Sequence, residues 1–399
     1  MRSLPTRHHM SLFTQKSTIL VTCSKGVAPF LKEEIAALGL PARSAGIAGI
    51  ETSGTLEDTM RLNLCVRTGQ RVLYLLQSFS ARTPEDLYRK MAAIPWEEYL
   101  PRNGYVCVTS SADNPSVKDT RFVNLRGKDA VVDRFYKKFA SRPDSGSKRD
   151  RSVLFIYWKA DRCSVYLDTS GESLSRRGYR KIPLSAPMQE TLAAAVILAT
   201  RWEGTENFIN PMCGSGTLAI EAALIAMGRD PGSLRPNHGF MHIEGFSRPH
   251  WRKMKGLAEK RKKGAPGRII ATDRDPRAVE AARKNAAAAG VDHLIEFGVC
   301  DFSETSVPEG TGVVVLNPAY GERMGEIRQL EETYRKIGDY FKQECTGYRG
   351  YIFTGNRDLA KKVGLRAKTR APFYNSNIEC RLFGYDLYSG SMKKSKKTA

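Results

Sequence analysis

Val313-Val314-Val315-Leu316-Asn317-Pro318-Ala319-Tyr320-Gly321-Glu322-Arg323 is an apolar strand that runs straight into a proline turn. A run of valines and leucine suits a strand buried on both faces, and Pro318 stops its continuation. The turn then carries three groups of complementary chemistry. The Asn317 side-chain oxygen and the Pro318 carbonyl can each accept one N–H, and the Tyr320 ring can stack on a flat heterocycle. Such a set suits a ring-bound amino group, whose lone pair is conjugated into the ring and attacks poorly. Two acceptors that hold its hydrogens turn the lone pair toward an electrophile, so alignment rather than a strong base supplies the rate.

Upstream, three more strand ends carry polar turns. Asn207-Phe208-Ile209 reads as a strand, Asn210-Pro211-Met212-Cys213-Gly214-Ser215-Gly216-Thr217 as a turn, and Leu218 to Met227 as a helix. Glycine at 214 and 216 lets the backbone bend sharply and approach a ligand, and the following helix N-terminus can face a charged group. The third glycine of a dinucleotide fingerprint is missing, and so is the Walker pattern. Arg268 to Thr272 reads as a strand ending at Asp273, within Ala271-Thr272-Asp273-Arg274-Asp275-Pro276-Arg277-Ala278-Val279. A carboxylate there is placed to accept both hydroxyls of a ribose. Asp275 reads as a helix N-cap, because Pro276 takes the first helical position and the alanine-rich Ala278 to Ala289 continues to Gly290. Ile295 to Val299 then leads to Asp301-Phe302, a carboxylate that can accept an adenine amino group beside an aromatic wall.

Asn317-Pro318-Ala319-Tyr320 resembles motif IV of the S-adenosylmethionine (SAM) methyltransferases that act on exocyclic amino groups of purines and cytosine. The four strand ends, in this order, are similar to motifs I to IV of class I methyltransferases. The resemblance implies a Rossmann-like α/β fold, with a mostly parallel seven-stranded sheet whose last strand is antiparallel. Tyr351 to Gly355 and Tyr374 to Leu382 would close that sheet. It also implies SAM as cofactor, held by Asn210, Pro211, Cys213, Gly214, Gly216, Thr217, Asp273, Arg274, Asp301 and Phe302, with Asn317, Pro318 and Tyr320 as the catalytic set.

A chain of 399 residues with 41% hydrophobic content is long enough for two or three cored domains. Lys and Arg number 63 against 42 Asp and Glu, and the net charge of +21 points to a polyanionic partner rather than a small neutral substrate. The longest apolar run, Leu192 to Ala199, is far too short to span a bilayer, and no secretory h-region follows the start, so a soluble protein is expected. Arg2, Arg7, Lys16 and Lys25 precede the first acid and faintly resemble an organellar transit peptide. A frayed terminus, or a start at Met10, accounts for them as well. The eight cysteines contain no Cys-x-x-Cys pair, so neither a zinc ribbon nor a disulfide framework is expected and a reducing cytoplasm fits. His238 and His242 lack the glutamate that a zincin helix places after its first histidine, so no metal is expected.

The first half reads as an α+β module. Strands are expected at Thr18 to Cys23, Gly46 to Thr52, Gly54 to Leu56, Gln70 to Phe79 and Tyr105 to Ser111, then as a pair at Leu154 to Trp158 and Ser164 to Leu167. Helices are expected at Val27 to Leu38, Pro84 to Ala93 and Asp119 to Phe139. In the last of these Val131, Val132, Phe135 and Phe139 form an apolar stripe, while Arg126, Lys128, Arg134, Lys137 and Lys138 crowd the other positions. These cations are either a solvated face or an RNA contact. Asp86-Leu87-Tyr88, Ile94-Pro95-Trp96 and the stretch Thr120 to Phe139 resemble a THUMP domain, an RNA-binding module, preceded by a ferredoxin-like subdomain. Arg176, Arg177, Arg180 and Lys181 then form a basic connector, placed where a polynucleotide would cross between domains.

The connector with Ala186-Pro187, the Cys213 to Thr217 turn with Ile220-Glu221-Ala222-Ala223, Gly321-Glu322-Arg323 and Ile378-Glu379-Cys380-Arg381-Leu382 together resemble bacterial THUMP methyltransferases that form N2-methylguanosine in large-subunit (23S) rRNA. Some members of that group carry a second fused methyltransferase. The expected division is 1–63 ferredoxin-like, 64–168 THUMP, 169–190 basic linker, 191–390 methyltransferase and 391–399 basic tail. Structured RNA, 23S rRNA or a large-subunit assembly intermediate, is the implied partner. Departures from the family pattern are Asn210 for Asp, Ala319 for Pro and Ser376 for Gly. Methylation of tRNA guanine-N2 or of adenine-N6 is the rival enzyme reading, and an RNA-binding ribosome-assembly factor with weakened catalysis is the rival of another class.

Overall fold

The computed structural model describes residues 12–182, 184, 187–259, 267–321 and 324–388. Arg2, Arg7, Met10, Ala186, Glu322-Arg323 and the basic tail 391–399 lie outside the described residues. The chain divides into two compact units. The first comprises the chain up to Ser24, Ala28–Arg177 and an excursion beginning at Asp230; the second comprises Lys25–Val27, Gly178–Arg229 and the remaining C-terminal part. The excursion lies within the span 191–390 of the sequence expectation.

The first unit contains β1 (Ser17–Thr22), α1 (Ala28–Ala37), β2 (Arg43–Ser44), β3 (Gly49–Gly54), α2 (Leu56–Cys65), β4 (Arg71–Ser80), α3 (Pro84–Ala93), β5 (Tyr105–Asp113), α4 (Thr120–Phe139), β6 (Asp144–Ser145), β7 (Ser152–Lys159) and β8 (Arg162–Asp168). They build one sheet in the order β2-β3-β1-β4-β8-β7-β5-β6. Strand β4 pairs with β1 on one side and β8 on the other, so the expected ferredoxin-like and THUMP modules share a continuous sheet. Helix α2 replaces the short strand expected at Gly54 to Leu56. The Thr55 hydroxyl accepts from the Asp58 amide while the Asp58 carboxylate accepts from the Thr55 amide, a capping box closed by Asp instead of the usual Glu. Gly127 lets α4 lie close on the sheet, since a Cβ there would stand 2.7 Å from Ile156 Cδ1. The cations of α4 are largely engaged: Arg126 pairs with Glu85, and Arg134 and Lys138 both reach Glu97. That pairing holds the Glu97 carboxyl down at about 2, chiefly through the Arg134 hydrogen bonds.

The second unit contains α5 (Glu190–Ala199), β9 (Asn207–Pro211) and α6 (Thr217–Ala226). Helix α7 (Arg248–Glu259) belongs to the excursion, after which come β10 (Ile269–Asp273), α8 (Pro276–Ala289), β11 (Ile295–Val299), β12 (Gly312–Leu316), α9 (Met324–Gln343), β13 (Arg349–Thr354), α10 (Arg357–Lys362), β14 (Thr369–Asn375) and β15 (Ile378–Asp386). The seven strands run β11-β10-β9-β12-β13-β15-β14, with β9 to β13 mutually parallel and β15 antiparallel to both β13 and β14. Strand β9 pairs with β10 on one side and β12 on the other, so the chain order reverses there. Open α/β sheets bind their ligands beyond the carboxyl ends of the strands at such a point. Helix α6 is buried along its whole length, which explains its run of Ala, Leu and Ile. No helix among the described residues is long and apolar enough to cross a membrane.

Candidate functional site

A cavity of about 550 Å³ opens at the carboxyl ends of β9, β10 and β12, all within the second unit. From the β9 turn it receives Cys213, Gly214, Ser215 and Thr217, from β10 Asp273 and Asp275, and from β12 Asn317, Pro318, Ala319 and Tyr320. Three residues of the β9 turn have left-handed backbone, Met212 (φ 57°), Gly214 (φ 55°) and Gly216 (φ 82°). Gly214 needs its glycine for the φ alone, because a Cβ would meet nothing within 4 Å. Gly216 needs it twice, since a Cβ would also stand 2.8 Å from Ala282 Cβ on α8.

Asp273 ties this turn to the end of β10. One carboxylate oxygen accepts the Gly214 amide at 2.9 Å and the other accepts the Asp275 amide at 3.0 Å, which leaves each oxygen a lone pair for a ligand. Asp275 caps α8 through the Arg277 amide, as expected, and also borders the cavity. Cys213 is buried, and that burial together with the Asp273 charge pushes its thiol well above the usual range, so it stays a neutral wall.

The β12 turn is held from below. The Tyr334 hydroxyl bonds to Thr354 Oγ1 at 2.7 Å and donates to the Ala319 carbonyl, while the Asn356 amide donates to the Tyr320 carbonyl at 3.1 Å. The Tyr320 hydroxyl donates to Asn317 Oδ1 at 2.9 Å. Its ring packs on Gly355, where a Cβ would stand 3.0 Å from the ring and 2.9 Å from Ile378. Desolvation raises the Tyr320 phenol far above its ordinary range, so it remains a donor.

Several expected cofactor contacts stand elsewhere. Asn210 is fully buried and spans the sheet, its Nδ2 donating to the Val315 carbonyl at 2.8 Å, so its amide clamps β9 to β12 instead of facing the cavity. Pro211 is buried at the end of β9, and Arg274 is exposed; neither borders the cavity. Asp301 accepts from the Ser303 amide and hydroxyl as a local cap. Phe302 packs edge-on against Tyr340 in the core. Among the connector cations, Arg177 is 1% exposed and donates to the Arg67 carbonyl, while Arg180 reaches Glu190 and the Met188 carbonyl. Both guanidiniums are engaged by partners within the fold, since a guanidinium presents several donors. Arg176 and Lys181 are exposed, Arg176 in an ion pair with Glu172.

Cavity residues that sequence reasoning missed include Met188, Asn375 and Ile378. The last two flank the two-residue turn between β14 and β15, where Ser376 has φ 55°. That conformation costs a residue with a Cβ. Ser376→Gly is expected to raise stability by about 0.5–1 kcal/mol, read as a higher urea midpoint at unchanged m.

Residues 177–383 match a family described as the RMKL-like methyltransferase domain. Residues 18–73 match the RlmL ferredoxin-like domain and residues 81–168 the THUMP domain. A ribosomal RNA large subunit methyltransferase K/L from Syntrophotalea carbinolica is 39% identical over 377 residues, covering 92% of this chain and 53% of that protein. The one from Psychromonas ingrahamii is 37% identical, covering 92% and 50%. The chain thus spans about half the length of the curated relatives it matches. Among solved structures, the candidate methyltransferase SMU.472, complexed with SAH, superposes with a TM-score of 0.85 at 27% identity, covering 95% of this chain and all of that one. A predicted N6-adenine-specific DNA methylase from Listeria monocytogenes gives 0.84 at 29%, covering 94% and 97%. With its sheet order and the cavity at the strand switch point, this chain is a class I methyltransferase fold preceded by ferredoxin-like and THUMP domains, and it belongs to the RMKL-like methyltransferase-domain family.

Proposed function

We propose that this chain methylates the exocyclic N2 amine of a guanine in large-subunit (23S) ribosomal RNA, in the cytoplasm and with SAM as methyl donor. The observation that carries the reading is a single cavity shared by the Gly214 turn, Asp273 and the Asn317-Pro318-Ala319-Tyr320 turn. Its volume suits a nucleoside-sized cofactor together with one base. The names of the curated relatives support ribosomal RNA as the substrate, and the net charge of +21 supports a polyanion. Residues 64–168 would grip structured RNA as a THUMP domain, behind a ferredoxin-like segment 1–63, and 191–390 would hold the chemistry.

When bound, SAM supplies an electrophilic methyl group on a sulfonium sulfur. Asp273 would hold the ribose hydroxyls with the lone pairs that Gly214 and Asp275 leave over. The amides at the start of α6 would face the carboxylate of the amino-acid end. On the substrate side, an unstacked guanine would lie against Tyr320. Asn317 Oδ1 and the Pro318 carbonyl would take the two N–H groups of its amine, which turns the nitrogen lone pair toward the methyl. The methylated nitrogen is then acidic and loses its proton without a dedicated base.

Deproteinised 23S rRNA and tRNA from a strain lacking the gene, each incubated with the chain and isotopically labelled SAM, separate the readings. Label recovered as N2-methylguanosine from 23S rRNA is the expected result. Label in tRNA, or as N6-methyladenosine, would replace this reading by its closest rival. Absence of SAM binding in calorimetry would favour the RNA-binding assembly factor.

A further inference from the structure

Asn375, the last residue of β14, borders the same cavity as Asn317, and its side chain lies against the Tyr320 hydroxyl. The polarity of this contact follows from counting hydrogens. Tyr320 has one O–H, which goes to Asn317 Oδ1 at 2.9 Å, and the Cys380 thiol lies within reach of the same phenol. The phenol oxygen can therefore only accept from Asn375, so the Asn375 Nδ2 turns toward Tyr320 and its Oδ1 is left for a ligand. The β14–β15 hairpin places Asn375 here. Asn375 and Ile378 are paired across the turn, and Ile378 is wedged beside Tyr320 over Gly355.

An acceptor beside an amine-binding pair discriminates between purines. Beside the N2 amine of guanine the ring presents the N1–H donor, whereas beside the N6 amine of adenine it presents N1 as an acceptor. We infer that Asn375 is the specificity-determining residue for the base: its Oδ1 accepts the guanine N1–H while Asn317 and Pro318 hold the amine. This rests on the methyltransferase reading above and adds to it the group that tells guanine from adenine. Opposite polarity along the Asn375–Tyr320–Asn317 chain would present Nδ2 and select a ring acceptor instead.

The test uses 2,6-diaminopurine, which keeps the 2-amino group of guanine but has an acceptor at N1. A synthetic RNA fragment centred on the guanosine mapped in the preceding experiment is made with either base. Methylation at the 2-amino group is followed by nucleoside mass spectrometry, using the full chain. Wild type is expected to prefer guanine by about 10²-fold in kcat/KM, because an acceptor facing an acceptor inside the cavity is left unpaired. Asn375→Ala is expected to lower the guanine rate steeply and the diaminopurine rate little, so that the preference falls below about 10-fold. Calorimetric SAM affinity, unchanged in the variant, guards against misfolding. Equal losses on both bases, or a wild type that prefers diaminopurine, would overturn the assignment. A wild type that methylates neither base would instead overturn the reaction itself.

Discussion

Asn317→Ala is expected to slow methyl transfer by about 10²-fold or more while SAM binds as before. Asn317 sits just beyond β12, and its oxygen is held in place by the Tyr320 hydroxyl at 2.9 Å. Truncation removes one of two acceptors for the target amine, so the amine can rotate back into conjugation with its ring. The ribose side of the cavity is untouched, since Asp273 takes its partners from Gly214 and Asp275. The loss therefore belongs in kcat and not in cofactor affinity. Single-turnover methylation of ribosomal RNA, with calorimetric SAM binding alongside, measures both, and a near wild-type rate would sink the assigned chemistry. Ala319→Pro, which would make the turn Asn-Pro-Pro-Tyr, is expected to leave the rate equal or higher. Ala319 is exposed and its carbonyl, which a proline retains, is the atom bonded to Tyr334.

Strand-terminal chemistry was legible in the sequence because each turn carries its own local rule. Glycine at 214 and 216 announces left-handed backbone, Asp275-Pro276 a helix start, and Asn317-Pro318 the end of a buried strand. Direction was harder to read than position. Asn210 and Cys213 read as parts of one turn, yet Asn210 is still within β9 and bonds across the sheet while Cys213 borders the cavity, a difference that depends on strand pairing and not on local sequence. The connector is a related case. Four cations within 176–181 look alike in sequence, but Arg177 and Arg180 find carbonyl and carboxylate partners only once the chain is folded. Asn375 was read only as part of the closing strand, because its approach to Tyr320 spans 55 positions of sequence and depends on the β14–β15 hairpin folding back so that β15 lies between β13 and β14. Helix α2 was missed because its capping box ends in Asp58, a weaker signal than the usual Glu.

Asp273→Ala is expected to weaken SAM binding by roughly 1.5–3 kcal/mol, about 10- to 150-fold in Kd, from the loss of charge-assisted bonds to the ribose hydroxyls. The same carboxylate also holds the Gly214 amide, so its removal frees the β9 turn that would face the amino-acid end of the cofactor. Asp273→Asn separates the two contributions. An amide retains one oxygen acceptor but turns an NH2 group toward one of the two backbone donors, Gly214 N–H or Asp275 N–H, so one of those bonds must be lost. If ribose binding dominates, the asparagine variant recovers much of the affinity; if the turn dominates, it behaves like the alanine variant. In both variants the rate at saturating SAM should fall far less than in Asn317→Ala, because the substrate side of the cavity keeps its acceptors. Calorimetry with SAM reads the first quantity and single-turnover kinetics the second, and an unchanged Kd for Asp273→Ala would mean that the ribose is held elsewhere.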